Sequence, residues 1–243
     1  MTEDNRICRT GNVRSAAGQA DLKPISASAM RRVEDKGTSL GISKIMMMEN
    51  AANSIAHAVL DIAKPSAKRK RILLIAGTGN NGGDVFAAAR HLAYYRGKFA
   101  LDVIVVGDPA HIKSDEALTN FNIIKRIPSI SINYIDSISK LHLLRRKLEQ
   151  SQVAVVGVFG TGFHDEPREL QRRVIELINS VHRTKKISVD LPSGMEADSG
   201  RCDFAVRSDM TVTMHRPKKG MLANSIAKKV CGRLIIANIG LPF

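Results

Sequence analysis

Tryptophan is absent from the 243 residues, and aromatic residues make up only 4 %. Platforms on which single-stranded nucleic acid stacks its bases are therefore not evident. Cysteine is scarce as well: Cys8, Cys202 and Cys231 are odd in number and far apart. That excludes a disulfide framework and a paired-cysteine metal site, and leads to the expectation of a reducing, cytoplasmic setting. The seven histidines show no metal-ligand spacing. No apolar run approaches the ~18 residues that a membrane helix needs; the longest, residues 72–76 and 103–106, are of strand length. Residues 1–20 have no apolar stretch behind their charges, so they do not read as a secretory signal, and residues 1–22 are expected to form a mobile tail. Acidic residues are in deficit, 23 against 37 basic ones, for a net charge of +14. The excess clusters at Lys64, Lys68, Arg69, Lys70 and Arg71, at Arg145, Arg146 and Lys147, and at Arg216, Lys218 and Lys219. Such a field favours polyanions, either nucleotide phosphates or nucleic acid, while each cluster alone reads as solvated surface.

Apolar residues make up 44 % of the chain, and their spacing is orderly. A helical pattern over residues 28–36 is followed by a break bracketed by Gly37 and Gly41. A second helical stripe runs from Ser43 until Pro65 stops it. Thereafter short apolar runs alternate with amphipathic stretches. Strands are expected at 72–76, 103–106, 129–135, 152–159, 187–189, 210–214 and 234–238. Helices are expected at 84–96, 113–126, 137–150 and 167–181. Buried strands alternating with helices imply an α/β fold: a three-layer αβα sandwich around a Rossmann-like, mostly parallel sheet, with residues 23–243 as one domain.

The chemistry concentrates in three loops at strand ends, where ligands of open α/β sheets bind. The first is Gly77-Thr78-Gly79-Asn80-Asn81-Gly82-Gly83-Asp84, which contains G-x-G-x-x-G between a buried strand and a helix. Glycines let a ligand approach the backbone, and free amides at a helix N-terminus attract phosphate. Asp84 reads as the N-cap of the following helix. An acid beside a phosphate is otherwise unfavourable, so its carboxylate is expected to face amides or a cation. Asp102 and Asp108, the acids nearest to where a dinucleotide fold holds ribose hydroxyls, read as turn acids. The second loop is residues 160–167. The third is Asp190-Leu191-Pro192-Ser193-Gly194, in which Asp190 ends a buried strand and is a candidate acid or base. His57 and His91 read as packing or surface residues. His215, beside Arg216 and Lys218, reads as a loop residue able to meet a phosphate.

These elements occur in an order that resembles the NAD(P)H-hydrate epimerase family, the YjeF N-terminal domain. The matching segments are Met30-Arg31-Arg32-Val33-Glu34-Asp35, Met48-Glu49-Asn50-Ala51-Ala52, Asn80-Asn81-Gly82-Gly83-Asp84 with Ala88-Ala89-Arg90-His91-Leu92, Phe159-Gly160-Thr161-Gly162, Val189-Asp190-Leu191-Pro192-Ser193-Gly194, Asp209-Met210-Thr211-Val212-Thr213, Pro217-Lys218-Lys219-Gly220 and Ile239-Gly240-Leu241-Pro242. The resemblance implies an enzyme that interconverts the R and S forms of hydrated NADH and NADPH, often as a homodimer. It implies that Asn80, Asn81, Gly82, Gly83 and Asp84 line the substrate site. Gly160, Thr161, Gly162, Phe163, His164, Asp165 and Glu166 would form a loop over the ligand, and Asp190 would touch the substrate as acid/base. It further implies a potassium ion (K+) held by Asn81 and Ser193.

The chain also departs from the family pattern. Val156 stands where the family has an acidic potassium ligand, and valine offers no oxygen to a hard cation. Potassium is then expected to bind weakly or not at all unless another oxygen substitutes. Val85 and Ala52 replace family glycines. Two other readings stay open at this point. One is a catalytically impaired nucleotide- or RNA-binding scaffold, since relatives that lost the hallmark loop serve as mRNA-decapping scaffolds. The other is an ordinary NAD dehydrogenase, which fits only the literal glycine pattern.

Overall fold

The computed structural model describes Val13–Ser15 and residues 23–112, 114–159 and 169–243. One sheet holds β1 (Val13–Ser15), and the short apolar runs become its other strands: β2 (Lys70–Ala76), β3 (Phe99–Val106), β4 (Ile130–Ile135), β5 (Val153–Gly157), β6 (Lys185–Val189), β7 (Met210–Met214) and β8 (Arg233–Ala237). Their order is β1-β8-β7-β6-β5-β2-β3-β4. All neighbours are parallel except β1, which pairs antiparallel with β8. Val13–Ser15 thus adds an edge strand inside the stretch read as a tail; the remainder of residues 1–22 lies outside the described residues.

The helices are α1 (Ala27–Ser39), α2 (Lys44–Ala63), α3 (Asn80–Ala93), α4 (Asp115–Ile124), α5 (Leu141–Gln150), α6 (Glu169–Ser180) and α7 (Ser225–Cys231). Side chains alternate across the sheet because the strand period is two. Ile72, Leu74 and Ala76 pack toward α2 and α3, whereas Leu73 and Ile75 pack with Leu144, Leu148, Val174 and Ile178 of α5 and α6. This is the expected αβα sandwich. Ser26, Ser43, Ser114 and Asn224 cap α1, α2, α4 and α7 by accepting from a backbone amide.

Several local expectations change. Gly37 does not end the first helix; it lies within α1, where a Cβ would stand 2.3 Å from Leu241 Cδ2. It is a close-contact glycine, and Gly41 at φ +93 is the one that turns. The third helix begins at Asn80 rather than Asp84, so half of the glycine loop is its first turn. Asp102 is no turn acid. It sits within β3 at 3 % exposure and accepts from Arg71 at 3.4 Å and from Lys147. Asp108 does cap a short turn, accepting from the Ala110 amide at 2.9 Å. Helix α7 was not foreseen.

The chain reverses its direction of travel across the sheet between β2 and β5: β2, β3 and β4 run one way, and β5, β6, β7 and β8 the other. A crevice at the carboxyl ends of the strands opens at such a point. The glycine loop follows β2, and Phe159 follows β5, on either side of it.

Candidate functional site

Gly79 is the N-cap of α3, in extended conformation and with no side chain to bond the first amides. The first helical bond runs from Gly83 N to Gly79 O at 3.2 Å, which leaves the amides of Asn80, Asn81 and Gly82 without helical acceptors. These three amides form an anion-seeking end at the crevice.

The glycines of the loop divide into two kinds. A Cβ on Gly77 would stand 2.1 Å from Val158 O, and one on Gly82 would stand 2.0 Å from Gly77 O. Gly83 lies under Met48 and Ala117, with a Cβ at 2.6 Å and 2.9 Å from their atoms. These three let backbone approach backbone or helix approach helix. Gly79 alone among the four has open space around its missing Cβ. It is the glycine that leaves room for a ligand.

Asn81 ties the loops together. Its Nδ2 donates to Phe159 O at 3.1 Å and to Val189 O at 2.8 Å. Ser193 meets it at the same carbonyl: Oγ accepts from the amides of Val158 (3.2 Å) and Phe159 (3.1 Å), and donates to Phe159 O at 3.3 Å. The two residues implied as potassium ligands therefore lie on either side of one backbone oxygen. Val156, at the third implied position, is fully buried among the apolar side chains under α5 and α6. Val85, in place of a family glycine, is also fully buried; a Cβ on Gly157 would stand 2.5 Å from its Cγ2, so the glycine at 157 makes the space that Val85 fills.

Asp190 ends β6 with φ +62. Its Oδ1 takes bonds from Met214 N (3.2 Å), Thr213 Oγ1 (3.4 Å) and Lys218 Nζ. Lys218 is fully buried, and its ammonium also donates to Thr213 Oγ1 (3.2 Å) and Met214 O (3.1 Å). All three of its protons are thus placed. Reading this lysine as part of a solvated basic cluster was wrong: a buried ammonium needs acceptors, and the end of β7 supplies them. Lys147 and Arg71, from the other clusters, are likewise spent on Asp102.

Asp84 completes the group from the first turns of α3, 9 % exposed. Its carboxyl is held well above the ordinary range, first by burial, then by the negative charges of Asp190 and Glu34, against a smaller pull from Lys218. Glu34 on α1 is raised too, by burial and then by Asp190. Asp84 therefore faces a charge cluster of Glu34, Asp190 and Lys218 rather than capping its helix. Glu34, part-buried in the structure, was missed as a site residue because nothing in the helical pattern of α1 separates it from its neighbour Asp35. His215, next after β7, is lowered by burial and by Arg216 and Lys218. The implied cover loop, Gly160 to Glu166, lies outside the described residues.

A family profile described as YjeF-related protein N-terminus matches residues 44–220. The NAD(P)H-hydrate epimerase of Cenarchaeum symbiosum is 35 % identical over 224 residues, covering 90 % of this chain and 95 % of that protein. The bifunctional NAD(P)H-hydrate repair enzyme Nnr of Pyrobaculum aerophilum is 34 % identical over 91 % of this chain, which spans only 42 % of that longer relative. Among solved structures, the crystal structure of yeast ynu0 superposes with a TM-score of 0.72 at 23 % identity, covering 83 % of this chain and 84 % of that one, which supports the fold.

Proposed function

This chain belongs to the family of YjeF-related N-terminal domains, and we propose that it is an isomerase that interconverts the R and S epimers of hydrated NADH and NADPH. The observation that carries the reading is the meeting, at one crevice, of three helix amides that lack helical acceptors with the anchored carboxylate of Asp190. The amides of Asn80, Asn81 and Gly82 suit the substrate diphosphate. Asp190 suits the reacting ring.

The chemistry asks for proton movement without redox. In the hydrated ring one carbon bears both the ring nitrogen and a hydroxyl. Asp190, acting as base, takes the hydroxyl proton. The carbon–nitrogen bond breaks to leave an aldehyde, and the nitrogen receives the proton from Asp190. The aldehyde turns about its carbon–carbon bond, and the nitrogen adds to its other face. The nitrogen proton returns through Asp190 to the oxygen. One bond breaks and re-forms, and the carboxylate is regenerated.

Potassium fits this site poorly. The Asn81 amide nitrogen donates to two carbonyl oxygens, and Ser193 Oγ is engaged by two backbone amides. Val156 contributes only methyl groups to an apolar core. No step of the proposed reaction passes through the ion.

The test is direct. Purified protein given the pure R epimer is expected to speed the appearance of the S epimer on a chromatogram, and Asp190→Asn to abolish the acceleration. A wild-type trace that matches the no-enzyme rate sinks the proposal.

A further inference from the structure

The Asp190 carboxylate is bonded unevenly. Oδ1 receives Met214 N, Thr213 Oγ1 and Lys218 Nζ, while Oδ2 has no protein partner among the described residues. One oxygen anchors the group and the other is left for a ligand. We propose that Lys218 is the positioning residue of this site, holding Asp190 in place by Oδ1 so that Oδ2 serves as the proton-accepting atom. This assignment rests on the epimerase reading and specifies how its base is prepared.

Three observations support it. First, Lys218 is fully buried with every donor used, and each acceptor belongs to the frame around Asp190: the carboxylate itself, Thr213 Oγ1 and Met214 O. A buried ammonium is costly and persists only when paired. Second, Asp190 sits at φ +62, with Leu191 N donating to Val189 O at 2.7 Å, a tight positive-φ turn that its surroundings must hold. Lys218 bridges that turn to the end of β7. Third, two further acids, Glu34 and Asp84, press on the same space, and both feel the Asp190 charge. Of these three acids, Asp190 is the one that the Lys218 ammonium touches. Lys218 touches no reacting atom in this scheme and acts through Asp190.

The experiment compares Lys218→Met and Lys218→Gln with wild type in the epimer assay, with thermal melts and circular dichroism as folding controls. Gln keeps an N–H donor without the charge, and Met keeps an unbranched apolar stem without a donor. For both variants kcat is expected to fall roughly tenfold to hundredfold, with KM within about threefold, because the loss is one of base preparation and not of binding. A Gln variant with wild-type kcat overturns the proposal, as does a loss confined to KM. Failure of both variants to fold also overturns it, since Lys218 would then hold the fold rather than the base. The two readings fail separately: an inactive wild type sinks the epimerase proposal and the role of Lys218 with it, whereas an active wild type beside an equally active Gln variant sinks Lys218 alone.

Discussion

Asp190 and His215 close neighbouring parallel strands with the same turn. Each has φ +62, and each is spanned by a short bond, Leu191 N to Val189 O at 2.7 Å and Arg216 N to Met214 O at 2.6 Å. A left-handed backbone at a residue other than glycine costs about 1–3 kcal/mol. Both sit at the carboxyl ends of β6 and β7, where the candidate site lies. The strain can be measured at His215 without touching the carboxylate. His215→Gly removes it and adds about 0.5–1 kcal/mol of chain entropy cost, so its melting temperature is expected to match or exceed wild type. His215→Val, β-branched, is expected to lose about 2 kcal/mol or more. A valine variant as stable as wild type would remove strain from the account.

The two kinds of glycine in the α3 loop separate stability from binding. Gly82→Ala drives a methyl into Gly77 O, at 2.0 Å, so the loop must leave its helix. The loss is expected to exceed the ~1–3 kcal/mol of ordinary overpacking. Gly79→Ala meets nothing within 4 Å and costs about 0.5–1 kcal/mol as a poorer cap. Its effect belongs to the ligand: a KM for the hydrated dinucleotide raised roughly tenfold, about one lost contact. If Gly79→Ala leaves KM unchanged, phosphate does not pass over this residue.

Asp84 makes the protein's stability depend on pH. Its folded carboxyl is raised above the ordinary 3.8 by burial and by Asp190 and Glu34. Below about pH 3.8 it is protonated in both the folded and unfolded chain and costs nothing. As pH rises, the unfolded chain releases this proton first, and stability falls until the folded carboxyl titrates too. Asp84→Asn is therefore expected to melt above wild type at pH 7, by about 2–4 °C for each kcal/mol gained, with the difference gone near pH 3. Equal melting at pH 7 would show that folding does not raise this carboxyl.

The cation is tested by exchange. Epimerisation in potassium chloride and in choline chloride at equal ionic strength is expected to run at the same rate. Val156→Asp places an unpaired acid in the apolar layer of Leu73, Ile75 and Val174, and is expected to lower the melting temperature in choline chloride. A tenfold rate difference between the two salts in wild type would return potassium to the mechanism, by way of oxygens other than position 156.

The αβα layering was legible because parallel strands buried on both faces read as unbroken apolar runs. Residues 72–76 announced β2, and Pro65 and Ser43 marked the ends of α2. The start of α3 was misread because Gly82 and Gly83 count against a helix by propensity, and only contacts with Gly77, Met48 and Ala117 explain why they belong in one. Asp190 was legible as an acid at a strand end. Lys218 was not, since a lysine beside Arg216 and Lys219 looks like any surface cation.

What the sequence by itself determined is the order of strands and helices, the loops that reach the carboxyl ends, and the family they resemble; these follow from local periodicity and from residues adjacent in the chain. Only the tertiary structure decided which charge meets which. Asp190 and Lys218 are 28 positions apart, and Glu34 and Asp84 come to them from two other helices. A buried charge takes its state from neighbours in space, and those neighbours exist only once the sheet has assembled.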